Sequence, residues 1–232
     1  MSRKALLVSA TALEVSPTVH AIFPTAARDL GVGTPGTFFE GERIDCIITG
    51  VGQMLCAMHL APLLATGRYA RAVQAGLAGS FSERFPKRST VVVSEESLAD
   101  LGAESTEGFL DLFEMRLLGP DVPPFTNGRL LSAPPSLRSL SELPSARSVT
   151  VNRVLSDARS IAWVRERFEP DIVNMEGAAF LYACGLHGVQ GYCVRSISDM
   201  VGPRDKGQWD IPGAVSALNE TLKPICTELQ LS

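Results

Sequence analysis

The sequence predicts an α/β fold on three observations. Apolar, strand-like runs recur along the chain, small or turn residues follow each run, and helical periodicity then takes over. Strands that alternate with helices imply a mostly parallel, twisted sheet covered on both faces. A length of 232 residues suits one undivided α/β domain over 1–232.

The elements read as follows. Lys4–Ala10 is a buried strand, and Ile44–Thr49 is another, ending in Gly50-Val51-Gly52 before a helix from Gln53 to about Thr66. Arg71–Ala75 leads as a strand into Gly76-Leu77-Ala78-Gly79, and Thr90–Ser94 is a β-branched strand. Gly102 to Pro144 holds six of the fifteen prolines, all from Pro120 onward, so it reads as a long irregular excursion over the surface rather than a second domain. Ser148–Val151 is a strand, Asp157 to Phe168 a helix halted before Pro170, and Asp171–Asn174 a short strand. Gly191–Ile197 is the last strand, and Ile211 to Leu229 the last helix, with Pro212 in its first turn.

Composition narrows the chemistry. A net charge of −4 with no basic cluster argues against nucleic acid as a partner. His20, His59 and His187 stand too far apart to suggest a metal site, and the five cysteines lack any CxxC spacing, which reads as free thiols in a reducing cytoplasm. The N-terminal apolar stretch is too short for a signal segment, and no run approaches the ~20 residues of a membrane span. Catalysis, if present, therefore falls to carboxylates.

Ligands of parallel sheets bind at the carboxyl ends of strands. Three carboxylates stand there, Glu14, Glu176 and Asp199. Each also has an ordinary use, Glu14 and Glu176 at helix N-termini and Asp199 in a turn. Their concurrence on one rim is harder to assign to chance. The glycine pairs are weaker signals, since neither a P-loop nor a full dinucleotide fingerprint is present.

Asn174-Met175-Glu176-Gly177-Ala178-Ala179-Phe180, followed by Val194-Arg195-Ser196-Ile197-Ser198-Asp199, resembles the paired signature of the nucleoside phosphorylase and nucleosidase superfamily. The segment Val201–Pro212, with Gln74–Phe81, Asp100–Glu104, Gly108–Phe113 and Thr150–Asn152, is similar to its futalosine hydrolase branch. The likeness implies a three-layer α/β/α domain with a distorted mixed sheet, a purine nucleoside substrate, no metal or organic cofactor, and a homo-oligomer.

The resemblance implies Asp199 as the acid that protonates N7 of the leaving base and Glu14 as the base that activates water. It places Glu176 on the ribose hydroxyls, Met175 against the sugar, and Val51, Ala78, Gly79 and Val154 near base or sugar. Asn152 is a candidate reader of the base. Arg204 suits the aryl carboxylate of futalosine, and Trp209 suits stacking on its ring; an ion pair of Arg204 with Asp205 or Asp210 is equally compatible. Arg195 reads as structural.

Three other functions are weighed. A phosphorylase needs a basic phosphate pocket, and Ser9-Ala10-Thr11-Ala12-Leu13-Glu14 supplies none. A methylthioadenosine or adenosylhomocysteine nucleosidase shares the same carboxylates. A nucleoside-binding protein without turnover has no need of them.

Overall fold

The computed structural model describes residues 3–25, 34–105, 108–203 and 205–231. Strand β1 (Lys4–Ser9) sends Leu6 and Val8 into one hydrophobic core and Ala5 and Leu7 into another. Period-two geometry with apolar side chains on both faces belongs in the interior of a sheet. Accordingly β1 runs parallel to β3 (Ile44–Ile48) on one side and to β4 (Tyr69–Ser80) on the other. The short β2 (Thr37–Phe39) covers the β3 edge in the antiparallel sense.

Beyond β4 come β11 (Ile172–Asn174), β10 (Ser145–Thr150) and β5 (Thr90–Leu98). The last strand, β12 (Gln190–Met200), pairs parallel with β4 and antiparallel with β5. The strands β4, β11, β10, β5 and β12 therefore close into a ring. This closure makes the sheet mixed and distorted.

Helices cover both faces. On the Leu7 side, α1 (Ala12–Ile22) and α6 (Ile211–Leu231) contribute Val15, Val19, Leu218, Leu222 and Ile225 to the core. On the Leu6 side lie α2 (Gln53–Ala65) and α5 (Gly177–Leu186). A third, smaller core joins Val149 and Val151 to Ile161 and Val164 of α4 (Ala158–Phe168). Each fully buried Leu or Ile contributes about 1.5–3 kcal/mol. All five cysteines are free and buried, and burial pushes the Cys56 thiol up to about 12. Among the described residues, no helix is long and apolar enough to cross a membrane.

Two expectations are corrected. The stretch from Gly102 to Pro144 is structured: β6 (Gly102–Ser105) and β7 (Gly108–Asp111) form a hairpin, and α3 (Arg138–Ser141) precedes β10. There too, β8 (Phe125–Thr126) and β9 (Arg129–Leu131) extend the main sheet beside β5. Strands this short carry too little periodicity to stand out between prolines, and their buried anchors are single residues, Phe125 and Leu130. Strand β4 also runs on through Gly76–Gly79, where pairing with β12 continues up to Ser80. Glycines that read as a turn thus lie inside a strand, because other side chains press against them.

Candidate active site

A cavity of about 180 Å³ opens where β1, β4, β11 and β12 end. Glu14, Val51, Ala78, Gly79, Val154, Met175, Glu176, Asp199 and Trp209 line it. Asn152 does not. Its side-chain amide donates to Asp100 at 2.9 Å and its carbonyl accepts from Gln53 at 3.3 Å. Arg204 lies outside the described residues.

Glu14 is placed by a helix start. Thr11 caps α1, and Glu14, three residues on, reaches back to accept from the Thr11 amide at 2.9 Å. The same oxygen, Oε2, accepts from the hydroxyls of Thr11 at 2.9 Å and Ser9 at 3.1 Å. The other, Oε1, accepts from the Leu77 amide at 3.0 Å. Oε1 thus accepts one hydrogen bond from the described residues against three on Oε2, so it is the oxygen with room to accept from a water. Gly76 leaves room for this approach: a Cβ there would stand 3.1 Å from Glu14 Oε1, and the carboxyl would have to give by a few tenths of an ångström.

Asp199 is placed by a bulge. The β4–β12 register runs Ile197 against Ala78 and then Asp199 against Gly79, leaving Ser198 without a counterpart. An extra residue of this kind bends a strand and re-aims its side chains. The Ser198 hydroxyl donates to Asp199 Oδ1 at 2.6 Å, and a Cβ on Gly79 would come within 3.2 Å of Oδ2. Burial holds the Asp199 carboxyl above its ordinary range, against the opposing influence of the Ser198 bond and the Lys87 charge.

Glu176 lines the same cavity from the start of α5. The Gly52 amide donates to its Oε1 at 2.8 Å, and Gly52 occupies φ +96°, a conformation that favours glycine. Burial raises the Glu176 carboxyl as well, with the Gly52 bond and the Arg195 charge working the other way. Arg195 is itself buried, donating to the Gln74 carbonyl at 3.2 Å and to the Gln74 side chain. Its guanidinium offsets the negative charge that two buried glutamates, Glu96 and Glu176, would otherwise bring into the core.

The arrangement offers two carboxyls whose charged forms burial disfavours, and a third, Glu14, held by donors from Ser9, Thr11 and Leu77. Among the described residues, no lysine or arginine lines the cavity. A smaller neighbouring cavity shares Val154, Leu155, Asp199 and Trp209 with it and adds Lys87, whose ammonium donates to the Gln208 carbonyl at 2.9 Å.

Sequence reasoning missed Thr11, Ser198 and Lys87. The Thr-x-x-Glu spacing of a capping box was a usable signal for Thr11. No comparable signal exists for a one-residue bulge or for a lysine carried in on a loop.

A model of the phosphorylase superfamily matches residues 8–225. The futalosine hydrolase of Streptomyces coelicolor is 31% identical over 97% of this chain and 96% of its own length. That of Thermus thermophilus is 32% identical over 82% and 84%. Among solved structures, a methylthioadenosine/adenosylhomocysteine nucleosidase of Colwellia psychrerythraea in complex with adenine superposes with a TM-score of 0.78, 20% identity and 99% and 97% coverage. The futalosine hydrolase of Helicobacter pylori gives 0.76 at 16% identity, covering 97% and 98%. The two superpositions are near equal, so they speak for the fold, while the sequence relatives speak for the branch. By the family model and these sequence relatives, the chain belongs to the phosphorylase superfamily and, within it, to the futalosine hydrolase family.

Proposed function

We propose that this protein hydrolyses the N-ribosidic bond of futalosine, releasing hypoxanthine and dehypoxanthine futalosine in the futalosine route to menaquinone. The observation that carries the reading is a single cavity that gathers Glu14, Glu176 and Asp199 without a described cation to hold phosphate. Breaking the bond builds positive charge on the ribose and negative charge on the purine. Asp199, whose neutral form burial favours, is the group that hands a proton to N7 of the departing base in this reading. Glu14 aligns a water through Oε1 and takes its proton as the water attacks the sugar. Glu176 accepts hydrogen bonds from the ribose hydroxyls, and the Met175 thioether packs on the sugar.

Trp209 supplies an aromatic face for the 5′ aryl group, and Arg204 is our candidate for its carboxylate. We place the enzyme in the cytoplasm as a homo-oligomer; the exposed Met54 and Met58 on α2, beside the rim residue Val51, suit a subunit contact. The test is turnover of futalosine and methylthioadenosine side by side, with and without phosphate, identifying the released base. Hypoxanthine from futalosine without phosphate is expected. Preference for methylthioadenosine, or strict phosphate dependence with ribose 1-phosphate formed, would overturn the reading.

A further inference from the structure

Beneath the cavity lies a carboxyl that the reaction above does not use. Glu96 on β5 is fully buried, and its Oε2 accepts from the Asn174 side-chain amide at 2.9 Å. The Asn174 amide also donates to the Ser148 hydroxyl at 2.9 Å. Its carbonyl turns the other way, accepting from the backbone amides of Glu176 at 2.9 Å and Gly177 at 2.6 Å. Both halves of this carboxamide are therefore engaged, and its orientation is set from below.

The consequence reaches the ribose end of the cavity. Glu176 caps α5 without using its own side chain for the purpose, so Asn174 supplies the capping acceptor. Thr150 secures the next amide, Ala178, at 2.8 Å. Glu96 approaches so closely that a Cβ on Gly177 would stand 2.2 Å from Oε2, so a larger residue there would have to displace the carboxyl. The same carboxyl therefore packs on both Asn174 and the residue that opens α5.

We propose that Glu96 is a positioning residue that acts through Asn174 to hold the Met175-Glu176 turn against the ribose hydroxyls. The proposal rests on the reading of Glu176 as the ribose ligand. Its distinctive content is that reach matters more than charge. Glu96 Oε1 makes no hydrogen bond of ordinary geometry among the described residues, although the Ser148 and Thr150 hydroxyls stand near the carboxyl. Burial raises the carboxyl to about 7, against the Arg195 guanidinium and hydrogen bonds from Asn174, Thr150 and Ser148; a side chain of the same length keeps the acceptor that meets Asn174 without the charge.

The experiment compares Glu96→Asp, which retracts the carboxyl by one methylene, with Glu96→Gln, which keeps its length. Both are assayed on futalosine and on its 2′-deoxy analogue, with Glu176→Gln as reference. Glu96→Asp is expected to lower kcat/KM on futalosine about tenfold more than on the deoxy analogue, and Glu96→Gln to recover most of that loss. Equal losses on both substrates, while Glu176→Gln shows a hydroxyl-specific loss, would overturn the proposal. If Glu176→Gln also shows equal losses, the ribose assignment of Glu176 fails instead. Amide exchange then decides on the positioning alone: faster exchange at Glu176 and Gly177 in Glu96→Asp supports it, and unchanged exchange overturns it.

Discussion

The two ends of the cavity use the same functional group in opposite surroundings. At the start of α1, Glu14 accepts hydrogen bonds from Ser9, the amide and hydroxyl of Thr11, and the Leu77 amide. At the β12 bulge, Asp199 accepts one among the described residues, from Ser198, and burial makes its charged form costly. Donors orient a carboxylate that is to receive a proton, whereas desolvation favours a carboxyl that is to give one. The division of labour in our proposal rests on this contrast in environment.

The largest expected effects come from abolishing either end. Asp199→Asn and Glu14→Gln should each lower kcat on futalosine by roughly 10²-fold or more, the usual range for acid–base groups, with circular dichroism unchanged. Wild-type turnover in either variant would remove that residue from its role.

A smaller loss should follow from crowding the acid without deleting it. A Cβ at Gly79 meets Asp199 Oδ2 and Val201 at 3.2 Å and Val173 at 3.3 Å, so Gly79→Ala forces a shift of a few tenths of an ångström. We expect kcat to fall about tenfold, in keeping with the steep cost of misplacing a catalytic group. A stability loss with kcat intact would show that the shift is absorbed by the valines.

The mildest change sharpens the contrast itself. The Ser198 bond favours the charged form of Asp199, so Ser198→Ala should raise its pKa further. Activity that needs a protonated Asp199 is present below that pKa and falls as pH rises through it. The descending limb of kcat/KM against pH should accordingly move to higher pH in Ser198→Ala. A limb that moves to lower pH, or not at all, would separate that limb from Asp199.

The sequence made some of this legible and hid the rest for physical reasons. Long strands such as β1 and β12 announce themselves, because apolar residues on both faces leave no other assignment. Glu14, Glu176 and Asp199 were visible as residues just beyond strand ends and in a motif. Their surroundings were not. The capping of Asn174 on α5, the buried carboxyl of Glu96 and the Ser198 bulge depend on strand register, which joins residues 78 positions apart in the Glu96–Asn174 pair. Short strands β8 and β9 are hidden among prolines, and Asn152, a candidate reader of the base by sequence, has its side chain committed to Asp100 and Gln53.

The central claim, that Asp199 serves the leaving base and Glu14 the water, is tested most directly with a riboside whose leaving group needs no proton, such as nitrophenolate. Asp199→Asn should approach the wild-type rate on that substrate, while Glu14→Gln should remain depressed by roughly 10²-fold. Equal depression of both variants would contradict the division of roles.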